Sequence, residues 1–343
     1  MNLQPFPGFK SLITHHCVTG SMRHIYAFHD HPISEEMLLG IGSGVGFIYW
    51  HMKGMPPMLG GRANVARPGE EGLEITAGRR TGVEVERHHT GSSRVAQKTL
   101  LEQLESGEPV MLIVDMGFLP YFTDLPEDFH FGAHAVVIGG YDHESGTVLV
   151  ADRDDALHPV SLEDLAQSRG STYKPFPPRN TRFTFDFTGK REPSPEEVWK
   201  SIRESCTNML DGPISNIGVR GIRKAAERIR KWPDSMDEEQ LRWACFNSFI
   251  FIDAEGGTGG GIFRYMYGRF LEEAATITGE DELAGIGAQF GIIGDHWQEI
   301  ATTFKGCSEH DDPSLMLSEI SNPLISIADQ EEAAWKQLYG LTT

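Results

Sequence analysis

The sequence predicts an α+β protein whose first half carries an antiparallel sheet and whose second half is all helix. Three observations predict it. Two β-type runs are joined by turn residues over 135–151, a strand of period 2 lies at 182–187, and beyond residue 194 apolar residues recur at steps of three and four. The chain has 343 residues, 39% hydrophobic and 23% charged, with 38 glycines. At roughly 150 residues per domain this is enough for two domains, expected at 1–190 and 191–343.

In chain order, a helix is expected over about 93–106 and a strand over 109–115. Runs 135–141 and 147–151 form a hairpin around Asp142-His143-Glu144-Ser145-Gly146. Residues 54–92, rich in Gly and Arg and weakly periodic, read as long loops with short strands. The domain boundary is expected over 188–195. There Ser194 is an N-cap, Pro195 takes the first helical position and Glu197 stands three after the cap, a capping box. Further helices are expected near 195–210, 217–231, 238–253, 262–278 and 324–339. Leu283, Ile286, Phe290, Ile293, Trp297, Ile300 and Phe304 make one apolar stripe on another helix. Gly285, Gly287, Gly291 and Gly294 share that segment. Each costs about 1 kcal/mol of helix propensity relative to Ala, so they are expected where helices approach closely. Gly40, Gly42, Gly44 and Gly46 predict close backbone packing for the same reason.

The formal net charge is −19, which argues against nucleic acid and anionic membranes as partners. The charge is unevenly spread: −7 over 1–190, +3 over 191–231 and −15 over 232–343. The longest early uncharged run, 37–52, is too short and too broken by glycine to span a bilayer. No basic stretch followed by an apolar core opens the chain. Cys17, Cys206, Cys245 and Cys307 form no CxxC pair. A cytoplasmic protein with reduced thiols is expected.

The chemistry-bearing residues are Cys17, His134 and an acid at 152 or 154. Cys17 stands where a helix could begin, and the positive end of a helix helps a thiol to ionise. A thiolate needs a nearby imidazole as base or ion-pair partner. His134 opens the hairpin and Asp152 closes it, so cross-strand pairing brings a carboxylate to the histidine. Asp154 is the alternative, depending on register. His15 and His16 adjoin Cys17, but no second cluster has zinc-ligand spacing, and no metal is expected. Residues 256–261, five glycines and a threonine before a helix, read as a hinge or tight packing turn, with a phosphate cradle beside Arg264 as the alternative. Arg220, Arg223, Lys224, Arg228, Arg230 and Lys231 give one helix a cationic outer face.

The order Cys17, His134, Asp152 resembles papain-like folds, especially the bacterial branch that cuts leader peptides during bacteriocin export. The sequence is more closely similar to the butirosin-biosynthesis acyltransferase (BtrH-like) family. The resemblance rests on His16-Cys17-Val18-Thr19-Gly20-Ser21-Met22-Arg23, on Glu35-Glu36-Met37-Leu38-Leu39-Gly40-Ile41-Gly42, on Leu119-Pro120-Tyr121 and on His130-Phe131-Gly132-Ala133-His134. Asp152-Arg153-Asp154 and the stretch 174–180 continue it, and the helical remainder resembles the uncharacterised domain that follows in that family. The resemblance implies a papain-like N-terminal domain and transfer of an acyl group to a small amine. The acyl donor is the phosphopantetheine thioester of an acyl carrier protein, or another acyl thioester. No bound cofactor is expected. Cys17 is the implied nucleophile, His134 base and acid, and Asp152 the orienter. His16, Tyr121 and Arg264 are the expected substrate-binding residues, and Arg223, Lys224 and Arg228 the expected docking surface for an acidic carrier. One departure stands out. Papain-like enzymes often carry a Gln shortly before the Cys, whereas here Ser11 stands six before it and the nearest upstream Gln is Gln4. The oxyanion would then rely on the Cys17 N–H with a second donor from His15, His16 or a loop amide. A cysteine peptidase or amidase, and a non-catalytic binding scaffold, are the rival readings. The wide apolar faces of the helical half leave room for a homo-oligomer.

Overall fold

The structure, a computed structural model, describes residues 3–51, 56–65, 71–126, 128–254 and 260–342. In chain order the elements are α1 (Cys17–Phe28), α2 (Glu35–Ile41), β1 (Val45–Trp50), β2 (Met58–Arg62), α3 (Leu73–Arg80), β3 (Glu84–His88), α4 (Ser93–Glu105), β4 (Val110–Val114), β5 (His134–Asp142), β6 (Thr147–Ala151), β7 (Leu157–Ser161), α5 (Leu162–Gly170) and β8 (Arg182–Asp186). Then follow α6 (Pro195–Leu210), α7 (Gly218–Ile229), α8 (Glu238–Ile252), α9 (Gly261–Thr278), α10 (Glu282–Glu309) and α11 (Leu317–Leu341). The protein is α+β with antiparallel sheets, and among the described residues all the strands precede residue 193. Contacts divide the chain into two units: Met1–Leu38 with Thr81–Glu192, and Leu39–Arg80 with Pro193–Thr343. The late junction lies between Glu192 and Pro193, and residues 39–80 group with the helices that follow it.

The first unit is built on a six-stranded antiparallel sheet in the order β3-β8-β4-β5-β6-β7. Its central strand β5 reads as an unbroken apolar run because it is covered on both faces, with every residue from His134 to Gly140 buried. Helix α1 lies against β5 and β4 and buries Val18, Met22, Ile25 and Tyr26. The β5–β6 hairpin is not regular. Beyond the turn the pairs are Asp142↔Thr147 and Gly140↔Leu149, but after Gly139 they become Ile138↔Val150 and Val137↔Ala151. This one-residue bulge flips which face of β6 accompanies a given face of β5. Carried onward, the shifted register sets residue 152 opposite Val136, on the same face as His134. Without the bulge residue 152 would point to the other face. Glycine is needed there because the ring of Phe9 occupies the space where a Cβ would stand. Phe6 N–H also donates to the Gly139 carbonyl at 2.7 Å.

In the second unit α6 begins with the full capping box, Ser194 and Glu197 each closing on the other's backbone. Helix α8 starts with another, from Asp237 and Gln240. Helices α9 and α10 meet at Gly268 and Gly287, where a Cβ on either would lie 2.6–2.7 Å from the other's carbonyl oxygen. Gly294 likewise makes room for the Tyr265 ring, whereas Gly285 and Gly291 face nothing within 4 Å. Gly40, Gly44 and Gly46 each stand where a Cβ would collide, with Phe270, Leu73 and Ala63 respectively. The short strands expected over 54–92 are β2 and β3, but the helix α3 also lies there and corrects the loop expectation. Helix α3 is only eight residues long, with Glu74, Arg79 and Arg80 among them, so its periodicity is too brief to register. Helix α11 also starts earlier than expected, with Pro323 inside it. Among the described residues no helix is long and apolar enough to cross a membrane.

Candidate active site

Cys17 is the first residue of α1, partly exposed, and outside any disulfide. His16 is the N-cap, with extended backbone (φ −121°, ψ 129°). Its ring Nδ1 accepts from the Thr19 N–H at 3.5 Å and lies 3.0 Å from the Thr19 hydroxyl. The first helical turn closes from Gly20 N–H to the His16 carbonyl at 2.7 Å. The segment leading into Cys17 is fastened on several sides. Thr14 N–H donates to the Arg153 carbonyl at 2.9 Å, the Ser11 hydroxyl to the Asp154 carbonyl at 2.8 Å, and Leu12 N–H to His24 Nε2 at 2.9 Å. Two of these bonds tie the approach to the nucleophile directly to the chain just after Asp152.

Glu35, the first residue of α2, completes the fastening. Its carboxylate accepts the His15 N–H at 2.8 Å, the His16 N–H at 2.6 Å and the Thr19 hydroxyl at 3.1 Å. It is 1% exposed. Burial pushes its pKa up, against the pull of the His15 and His16 amides. The backbone amides of His15 and His16 are therefore engaged by a carboxylate and are not the ones turned to an oxyanion. Ser11, at the position where a Gln was sought, straps the loop to Asp154.

His134 opens β5 and is buried. Its Nε2 is 2.7 Å from Asp152 Oδ2, and its side chain is hydrogen-bonded to that of Cys17. With Nε2 turned to the carboxylate, Nδ1 is the nitrogen left for the thiol. Burial alone would discharge the imidazole, but the Asp152 charge and hydrogen bond, with Cys17, more than offset it and raise the His134 pKa to about 10. Asp152 is buried too. Burial raises its pKa, yet His134, Tyr121 and Arg153 hold it below the ordinary carboxylate value. The register question is settled by the bulge: Asp152 meets His134 as a diagonal neighbour, while Asp154 turns outward to His158 at 3.0 Å.

Tyr121 acts behind Asp152. Its hydroxyl donates to Oδ2 at 2.9 Å and its ring stacks on His158, with centroids 4.2 Å apart. Burial and the neighbouring Asp152 keep the phenol protonated, so it remains a donor. Phe122 stands edge-on to His134, centroids 5.7 Å apart. Both ends of the loop that presents Tyr121 and Phe122 are held by one buried carboxylate. Asp115 accepts from Gly117 N–H and Phe131 N–H, each at 3.1 Å, and from the Ser171 hydroxyl at 2.5 Å, with His130 Nδ1 at 3.0 Å. Sequence reasoning missed Glu35, Asp115 and Phe122. The signals available were an acid pair between Ser34 and an apolar run, and an Asp ending a strand. A cavity of about 400 Å³ lined by Ile25, His29, Glu108, Phe185 and Phe187 opens at the other end of α1. That end is about 18 Å along the helix from Cys17, so the cavity is separate from this site.

Four expected residues have other partners. Arg264 is fully buried in the second unit. Its Nε and Nη2 pair with the two Glu331 oxygens at 2.8 and 2.9 Å, and Nη1 donates to the Gly46 carbonyl at 3.0 Å. Trp297 and Trp335 donate to the same carboxylate at 2.7 and 3.1 Å. Its guanidinium is thus spent inside the core, which corrects the phosphate expectation; residues 256–259 of the glycine-rich run lie outside the described residues. Arg223 on α7 bridges to Asp329 and Glu332 of α11, each at 2.6 Å, so its charge joins two helices. Lys224 donates to Ser215 at 3.0 Å and to Asn216 at 2.5 Å, while Arg228 is exposed. His16 is buried as a cap and presents no exposed ring to a substrate.

A family described as butirosin biosynthesis protein H, N-terminal, matches residues 16–153. A family described as a domain of unknown function, DUF4872, matches residues 163–338. No curated protein matches the chain. The first match opens one residue before Cys17 and ends one residue after Asp152, so the whole hydrogen-bonded constellation lies within it. The second match spans more than half of the chain, so the chain belongs to the DUF4872 family, with an N-terminal part similar to butirosin biosynthesis protein H.

Proposed function

We propose that the first unit is a papain-like cysteine transferase that moves an acyl group from the phosphopantetheine thioester of a carrier protein to a small amine. The observation that carries this reading is the continuous chain of side-chain hydrogen bonds Cys17–His134–Asp152–Tyr121 at the start of a helix packed on an antiparallel sheet. A thiol at a helix start, next to an imidazole held charged by a buried carboxylate, has the surroundings that favour thiolate. The thiolate attacks the thioester carbonyl, the carbon–sulfur bond to pantetheine breaks, and the departing thiolate takes the proton from His134. The amine then attacks the acyl-Cys17 carbonyl, neutral His134 takes its proton, and the Cys17 thiolate leaves. Asp152 keeps the imidazole oriented through both steps, and Tyr121 keeps Asp152 oriented. The exposed carboxylates Asp154 and Asp155 favour a cationic amine over a neutral one. The site uses no metal or bound cofactor in this account; the pantetheine arm arrives as substrate. For the carrier, Lys224 and Arg228 on α7 remain the proposed contacts.

The test is turnover of an acyl-pantetheine thioester with and without an amine acceptor. The proposal expects amide product whose rate depends on amine concentration. Free acid formed at a rate independent of amine would identify a hydrolase on the same residues, and no product with either would leave a binding scaffold.

A further inference from the structure

We infer that Glu35 is a positioning residue for the nucleophile, holding the chain immediately ahead of Cys17 in the conformation that aims its thiol at His134. The inference deepens the proposed function and rests on its reading of Cys17 as nucleophile.

Three donors converge on this one carboxylate. The His15 and His16 amides are consecutive and point at different oxygens, Oε2 at 2.8 Å and Oε1 at 2.6 Å. Two successive N–H groups aim at one carboxylate only when the backbone between them is held in a particular bend, so the pair of bonds fixes the torsions that lead into residue 17. The third donor, the Thr19 hydroxyl at 3.1 Å, comes from inside α1 and ties the loop geometry to the helix. That hydroxyl has one hydrogen and gives it to Glu35, and it stands 3.0 Å from His16 Nδ1, which accepts from the Thr19 N–H. Residues 15, 16 and 19 thus surround Cys17 on the chain, and all three bond to Glu35.

A buried carboxylate beside a nucleophilic thiol is otherwise hard to explain. A negative charge next to Cys17 opposes formation of a thiolate, so on charge alone Glu35 hinders the proposed chemistry. Its retention in a buried, fully bonded position is consistent with a geometric role that outweighs this cost. This opposition of signs makes the inference sharp: charge and geometry predict opposite effects when Glu35 is neutralised.

The experiment compares wild type, Glu35→Gln, Glu35→Asp and Thr19→Val. Alkylation of Cys17 by iodoacetamide is followed by mass spectrometry of the Cys17 peptide across pH, with circular dichroism and melting temperature on each variant. Glu35→Gln keeps the shape but turns one acceptor into a donor facing an N–H. The inference expects labelling of the folded variant near pH 6 to fall about tenfold or more, because small misplacements of a reacting group are costly. It also expects kcat to fall with KM for the amine unchanged, a partial recovery in Glu35→Asp, and a smaller loss in Thr19→Val, which keeps the carboxylate and guards against a Glu35 variant that does not fold. Labelling that is unchanged or faster in folded Glu35→Gln, with only the melting temperature lowered, overturns the inference and leaves the proposed function intact. A wild-type Cys17 that labels only with the pH profile of an ordinary thiol overturns both.

Discussion

Replacing Asp152 by Asn tests how the dyad is powered. In the wild type the His134 imidazole is 4% exposed and its pKa is nevertheless raised to about 10, because the Asp152 charge and 2.7 Å hydrogen bond, with Cys17, override burial. Asparagine keeps the volume and removes the charge. Burial then dominates, and the His134 pKa falls toward or below its ordinary 6.5. The thiol loses its imidazolium partner and reverts to a titration near about 8.5, which leaves only about one thirtieth of it as thiolate at pH 7. The assay is the pH–rate profile of Cys17 alkylation by iodoacetamide, read on the Cys17 peptide; Cys206, Cys245 and Cys307 are buried and label slowly. The expected result is a wild-type profile already high below pH 7, and an Asp152→Asn profile about 30-fold lower at pH 7 that rises with a midpoint near 8.5. Stability follows the same linkage. A histidine whose folded pKa is raised stabilises the fold fully below its unfolded value of 6.5 and loses that contribution as pH climbs through about 10. The variant lacks this alkaline decline. An Asp152→Asn profile that overlays the wild type refutes the argument that Asp152 sustains the imidazolium.

Further predictions follow from the rest of the structure. Glu331→Ala strands the buried Arg264 guanidinium with the Gly46 carbonyl as its remaining partner among these bonds. It should cost about 3–5 kcal/mol, which calorimetry would read as a fall of about 10 °C in the melting temperature. Gly139→Ala places a Cβ in the space of the Phe9 ring. It should destabilise by about 1–3 kcal/mol and lower Cys17 reactivity as well, since the bulge carries Asp152 to the His134 face; a stability loss with unaltered labelling would disconnect the bulge from the site. Reversing Lys224 and Arg228 to Glu should weaken carrier-protein binding in a titration at low salt, and unchanged affinity removes α7 as a docking surface.

The elements with long, unmixed patterns were legible in the sequence. The hairpin 135–151, the strands at 110 and 182 and the helices from 195 onward, α11 excepted, occur within a few residues of their expected bounds. The constellation Cys17, His134, Asp152 was legible because hairpin pairing is local and its residues are chemically distinctive. The choice of Asp152 over Asp154 was not, because it depends on a bulge at Gly139, whose missing Cβ leaves room for the ring of Phe9, a residue 130 positions earlier. Short buried elements such as α2 and α3 carry too few turns for periodicity to be read. Charges paired by the fold misled most. In a sequence Arg264 beside a glycine run is a phosphate ligand and Arg223 is a surface cation, and only the fold brings Glu331 to the first and Asp329 and Glu332 to the second. Glu35 and Asp115 were invisible for the same reason: each collects backbone amides, and backbone amides leave no mark on a sequence.

The covalent step is the centre of the account, and trapping it tests it most directly. The protein is mixed with an acyl-pantetheine thioester in the absence of amine, quenched in acid and analysed by intact and peptide mass spectrometry. The account predicts one acyl group per chain, located on the peptide containing Cys17, discharged as amide when amine is added, and absent from Cys17→Ala. Amide formation by Cys17→Ala at the wild-type rate, with no acyl group on the wild-type Cys17 peptide, would contradict it.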